Sequence, residues 1–134
     1  MKKFFSRIYK LAILIISKKY YFSICKSQSE NQENKFLSHN FSKFENKNFL
    51  EIGFHWNQFN CIGLIQKNFR GHLIDSENKK NIIIMKLINF FHKLRVTVTH
   101  LFVSKDNILN ILPKKLGVLS IDIDGNDYWI LSEI

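Results

Sequence analysis

Three carboxylates crowd into six residues near the end of this 134-residue chain, in Asp122-Ile123-Asp124-Gly125-Asn126-Asp127. Along a strand, Asp122 and Asp124 share a face because side chains alternate. Carboxylates packed so closely repel one another unless a cation, a hydrogen-bond donor or solvent relieves them. Such a group can orient a hydroxyl, take its proton or sit against positive charge. Two further acids stand at the ends of apolar runs, Glu51 in Phe49-Leu50-Glu51-Ile52-Gly53 and Asp75 in His72-Leu73-Ile74-Asp75. Asp75 follows Gly53 by 22 residues, the spacing at which nucleoside-binding sheets place an acid to accept the ribose hydroxyl protons. The same residue suits the cap of a helix starting near Glu77.

Several specific chemistries are excluded. An EF-hand calcium loop needs glycine at its sixth position, and Gly125 is fourth. A phosphatase of the haloacid dehalogenase type opens with an apolar strand and D-x-D-G but needs a long chain after it, and only nine residues follow Gly125. That shortage also weighs against metal-dependent phosphotransfer through Asp122 and Asp124, so no metal is expected. A turn and helix cap explains Asp124 to Asp127 and leaves Asp122 unexplained. The first loop has one glycine, Gly53, followed by bulky Phe54, His55 and Trp56. A pyrophosphate-binding loop wants three glycines at that place. His55 beside Trp56 reads as a packed or solvent-facing residue before it reads as a catalyst.

The elements that must position these acids follow from hydrophobic periodicity. Strands are expected at Phe49–Gly53, His72–Asp75, Arg95–Val103 and Val118–Ile123. Helices are expected at Gln58–Asn68, Lys79–Lys93 and Lys105–Leu112, with another starting at Asp127. Alternation of this kind predicts βαβ units, hence an α/β fold with a mostly parallel sheet and helices on both faces. The acids at three strand ends then meet at the carboxyl edge, where such sheets bind ligands.

Domain organisation is read from composition. Residues 48–134 form the α/β domain, residues 27–47 a polar linker or partly docked arm, and residues 1–26 a basic amphipathic helix. The first 26 residues hold seven basic groups and no acid, whereas the other 108 hold 13 basic and 11 acidic residues against a total charge of +9. The excess of Ile, Lys, Asn and Phe is also what an A/T-rich coding sequence gives, so nucleic acid is not the expected partner. The longest apolar run in the N-terminal stretch, Leu11 to Ile16, is too short to span a bilayer. Lys18-Lys19-Tyr20-Tyr21 follows it where a signal peptide would have small residues. The expectation is a cytoplasmic protein, peripheral at most to the inner face of the membrane. Cys25 and Cys61 lie far apart, without disulfide-framework or zinc spacing.

Taken together, Phe49-Leu50-Glu51-Ile52-Gly53, Asn68-Phe69-Arg70-Gly71-His72-Leu73-Ile74-Asp75, Asp106-Asn107-Ile108 and Leu119-Ser120-Ile121-Asp122-Ile123-Asp124-Gly125-Asn126-Asp127-Tyr128-Trp129 resemble the class I S-adenosylmethionine-dependent methyltransferases, nearest to their FkbM-like branch. The resemblance covers residues 48–134. It implies a Rossmann-like, doubly wound sheet that binds S-adenosylmethionine, with Glu51 and Gly53 in the first motif and Asp75 on the cofactor ribose. It implies that Asp122, Asp124 and Asp127 face the methyl donor or acceptor as catalytic residues, the acceptor being a hydroxyl of a sugar, glycan or small metabolite. Such sheets have seven strands and four are expected here, so the resemblance implies an incomplete, truncated domain whose exposed edge wants a completing chain or a second copy. The contrasting reading is a non-catalytic protein that uses residues 1–26 to sit on a membrane surface or a partner.

Overall fold

The computed structural model describes residues 12–28, 32–123 and 125–134. Lys2, Lys3, Arg7 and Lys10 of the expected basic helix, and Asp124, lie outside the described residues. Residues 12–16 are helical and lead into α1 (Lys18–Gln28). There follow α2 (Gln32–Asn40), a 3-10 turn (Phe41–Lys43), β1 (Asn48–Ile52), α3 (Ile62–Gln66), β2 (Arg70–Asp75) and α4 (Lys79–His92). The chain continues through β3 (Val96–His100), α5 (Ile108–Ile111), β4 (Val118–Ile121) and α6 (Asp127–Leu131). The strands pair in the order β3-β2-β1-β4, every pair parallel. The chain is therefore α/β, with a four-stranded parallel sheet flanked by helices.

Register sorts the strand residues into two faces. Phe49 lies beside Gly71 and Val118, and Glu51 beside Leu73 and Ser120, while Leu73 in turn pairs with Val98. This first face carries the larger core, where Tyr21, Phe22 and Cys25 of α1, Ile62 and Leu64 of α3 and Ile82, Met85 and Ile88 of α4 are buried. Gly71 makes room for it, since a Cβ there would stand 2.0 Å from Cζ of Phe49. The opposite face presents Leu50, Ile52 and Ile74 to Val103, Ile108 and Ile130. Only β1 is buried almost throughout, as expected for a central strand covered on both sides, whereas β3 alternates buried Val96 and Val98 with exposed Thr97.

Helices α3 and α5 and strands β3 and β4 are shorter than periodicity predicts, while β2 is longer, starting at Arg70 rather than His72. Helix α3 starts at Ile62 rather than Gln58 because the amides of Asn60 and Cys61 donate to the Glu51 carboxylate at 2.7 and 2.8 Å. Its end is set by Asn68, whose positive φ of 65° lets the Phe69 amide bond back to the Leu64 carbonyl. Helix α4 is capped by Asn78, whose side chain accepts from the Lys80 amide at 3.0 Å. Strand β3 ends at His100, where the Leu101 amide still bonds the Asp75 carbonyl before Val103 turns into the second core. Strand β4 ends at Ile121, although the Asp122 amide continues the ladder to the Ile52 carbonyl.

The described residues 32–47 of the polar stretch form a docked arm. Leu37, Phe41 and Phe44 fall at helical spacing and pack against the first-face core. Asn34 is buried there, its Oδ1 accepting from the Gly63 amide at 2.9 Å. A polar side chain that meets a helix-end amide docks the segment where composition suggests solvent.

Candidate functional site

The strand order places β4 beside β1, although β1 runs on in sequence to β2. The connections β1–β2 and β2–β3 carry α3 and α4 on the first face, whereas the β3–β4 connection carries α5 on the second. Where the winding changes sides, the loops diverge beyond the carboxyl ends of β1 and β4 and leave a crevice. A cleft of about 400 Å³ lies there, within the size range of small-molecule sites. Its walls are the loop after β1 (Gly53, Phe54, His55, Gln58), the end of β2 with the start of α4 (Asp75 to Asn78, and Asn81), Phe102 and Val103 after β3, and Asp122, Ile123 and Asn126 after β4.

Gly53 brings the β1 and β4 ends together. Its φ is +76°, and a Cβ on it would stand 1.9 Å from the Asp122 carbonyl oxygen. Only glycine combines that backbone conformation with that approach. After it Phe54 and Asn57 turn inward while His55 stays exposed. Phe54 is buried against Phe59, His55 bonds the Asn57 side chain, and the Trp56 carbonyl accepts from the Tyr21 hydroxyl at 2.7 Å. Packing of this loop on α1 leaves its backbone at the cleft despite its bulky sequence.

Asp75 is held from two sides. Its Oδ1 accepts from the Glu77 amide at 3.1 Å and its Oδ2 from Nδ2 of Asn81 at 3.0 Å. The sequence suggests Asp75 as the cap of a helix starting near Glu77, but α4 starts at Lys79 and its cap is Asn78. Asp75 instead closes the turn that leads into α4 and lines the cleft. Asn81, buried, also donates to the Phe54 carbonyl at 2.5 Å and accepts from the Trp56 amide at 2.6 Å. One side chain thus ties the first loop to the end of β2.

Glu51 stands behind the cleft rather than in its wall. It is fully buried on the first face, and burial raises its carboxyl to about 7 against the lowering effect of the Cys61 and Asn60 amides. The nearby Asp122 carboxylate adds a smaller push in the raising direction. Its work is positional. It gathers the amides at the start of α3, while Asn60 reaches on to the Ser120 hydroxyl at 3.2 Å and links this loop to β4.

Of the residues expected to carry chemistry, the fold gathers Gly53, Asp75 and Asp122 around one cleft. Asp122 is exposed at its mouth. Asp127 is turned to a local task, its Oδ1 accepting from the Ile123 amide at 2.9 Å so that the turn after β4 closes on itself. Asp124 lies outside the described residues. Sequence reasoning missed Asn81, Asn78, Gln58 and Phe102. For Asn81 a signal existed, because it lies on the stripe of α4 that also buries Met85, Ile88 and His92. A polar residue at an apolar helical spacing marks a buried hydrogen-bonding position.

Among the described residues no group of three or more His, Cys, Asp or Glu is arranged to hold a metal ion. Nor, among them, is any helix long and apolar enough to cross a membrane. No family model and no curated protein matches the chain.

Proposed function

We propose that the chain is a class I S-adenosylmethionine-dependent methyltransferase-like protein of the FkbM-like branch, built on a Rossmann-like, doubly wound sheet, and that the cleft holds the cofactor. The observation that carries this reading is the charge of the cleft. In a chain of net charge +9, its described walls present Asp75, Glu77 and Asp122 and neither lysine nor arginine. Such a wall repels phosphates and suits a cationic nucleoside, which separates a sulfonium cofactor from a dinucleotide.

The residues present fit that group. Asp75, already oriented by Asn81 and the Glu77 amide, accepts from the two ribose hydroxyls. Phe102 and Val103 supply apolar surface for a base. When bound, the cofactor would supply a methyl group made electrophilic by its sulfonium. Asp122, exposed at the mouth, would orient an acceptor hydroxyl and hold its proton. The acceptor class this chemistry serves is the hydroxyl of a sugar or other small metabolite.

Isothermal titration with S-adenosylhomocysteine tests the reading. Micromolar binding is expected, weakened at least about tenfold in Asp75→Ala, since hydrogen bonds to a charged group contribute about 1.5–3 kcal/mol. A chain folded by circular dichroism that gives no heat, or an Asp75→Ala variant that binds as well as the parent, overturns it.

A further inference from the structure

Helix α4 is apolar on the side that faces away from the protein as well as on the side that faces the core. Ile83, Leu87, Phe90 and Phe91 recur at one-turn spacing and are 57%, 40%, 76% and 54% exposed. Phe90 and Phe91 stand edge to face and leave their outer surfaces in water. Four large apolar side chains along a helix about 21 Å long form a contiguous patch of a size that isolated surface residues do not reach.

The charge around the patch has one sign. Lys79, Lys80, Lys86, Lys93 and Arg95 are all exposed, and no acid occurs between Glu77 and Asp106. The N-terminal helical segment joins the same end of α4. His92 Nε2 bonds the Leu14 carbonyl at 2.7 Å, and Lys18 Nζ donates to the His92 carbonyl at 3.2 Å. Leu14 and Lys18, in the described part of the N-terminal stretch, therefore pack at the C-terminal end of α4.

We propose that this outward face of α4 is a lipid-contacting surface that seats the protein on an anionic membrane. Apolar residues in the centre with lysines at the flanks match the layering of a bilayer surface, where acyl chains lie beneath anionic headgroups. A second copy of the chain is a poorer occupant, because a two-fold contact would set the lysines of one face against those of the other. This inference does not depend on the cofactor reading.

Flotation of the full chain with vesicles of equal parts phosphatidylglycerol and phosphatidylcholine tests it, with pure phosphatidylcholine as control. The parent chain floats with the anionic vesicles and not with the control, and added salt releases it. The double variant Phe90→Ser/Phe91→Ser loses at least about tenfold in binding, as does Lys86→Glu/Lys93→Glu, while circular dichroism and the urea midpoint stay unchanged. Absence of flotation by the parent chain overturns the proposal. So does undiminished flotation of the Phe90→Ser/Phe91→Ser variant, which would assign the contact to the N-terminal stretch alone. A parent dimer in sedimentation that this variant dissolves would give the face to self-association and also overturn it.

Discussion

The two faces of the sheet are closed by different means. On the first, α1, α3 and α4 lay Tyr21, Leu64 and Met85 over Phe49, Leu73 and Val98, and polar atoms reinforce the layer through Glu51, Asn81 and the Tyr21 hydroxyl. On the second, two helices of four and five residues hold Ile108 and Ile130 over Leu50, Ile52 and Ile74, and Thr97 of β3 is exposed on that side. The cleft straddles this difference. Its β2 wall is locked to the thick layer through Asn81, and its β4 wall stands on the thin one. The expected consequence is a site with one rigid wall and one wall that can adapt.

The difference in cover predicts a difference in what truncation costs. Phe69→Ala removes a fully buried ring from the first core, where it meets Phe44 edge to face. A loss of about 3–5 kcal/mol is expected by urea unfolding, because so tightly covered a position cannot collapse around the cavity. A loss under about 2 kcal/mol would mean that the thick layer is not where the fold's stability lies.

Glu51 gives the first face a pH dependence. Its folded carboxyl is raised from 4.5 to about 7 by burial, so the native state holds the proton more tightly than the unfolded chain. That stability is fully present below the unfolded value and is lost as pH rises through the folded one, the window here running from about 4.5 to 7. The fall is at most about 3.5 kcal/mol, at about 1.4 kcal/mol per pH unit. Urea midpoints measured at pH 5 and pH 8 are expected to drop in the parent chain and to stay level with pH in Glu51→Gln. Equal slopes in both would remove Glu51 as the source.

What the sequence shows of this fold divides along the same line. The strands were readable from the apolar runs of β1 and β4, the Leu73-Ile74 pair of β2 and the Val-Thr alternation of β3, and the acids at the ends of β1, β2 and β4 pointed to the carboxyl edge. Gly53 and Asp75 did come to one cleft with Asp122. The start of α3 was not readable, because nothing local reveals that Glu51 captures the amides of Asn60 and Cys61 from nine and ten residues away. Docking of α2 was hidden for a related reason, since Asn34 looks solvent-loving until the Gly63 amide is found beside it. The resemblance implies a place for Glu51 beside Gly53 in the first cofactor motif, and in the fold its carboxylate accepts from the backbone amides of Asn60 and Cys61 on the first face. Burial of a polar group is decided by its partner, and the partner is distant in sequence.

The smallest expected effect bears most directly on the site. Ile130 is the buried anchor of α6, with Tyr128, Trp129 and Leu131 exposed around it. Ile130→Ala is expected to cost about 2 kcal/mol, the low end for such a change, because half-buried Leu119, Ile121 and Ile123 can close over the gap. Its second consequence is local. Helix α6 begins at Asp127, whose carboxylate holds the Ile123 amide, so loosening the helix loosens the turn that carries the β4 wall. Hydrogen exchange is expected to speed up at Ile123 and along α6 while the amides of α4 keep their protection. If α4 loses protection to the same degree, the two faces unfold together and the contrast between a rigid and an adaptable wall disappears. If only the α6 region opens, binding of a nucleoside against Asp75 should survive in the same variant, since that wall is fastened through Asn81 to the other side of the sheet.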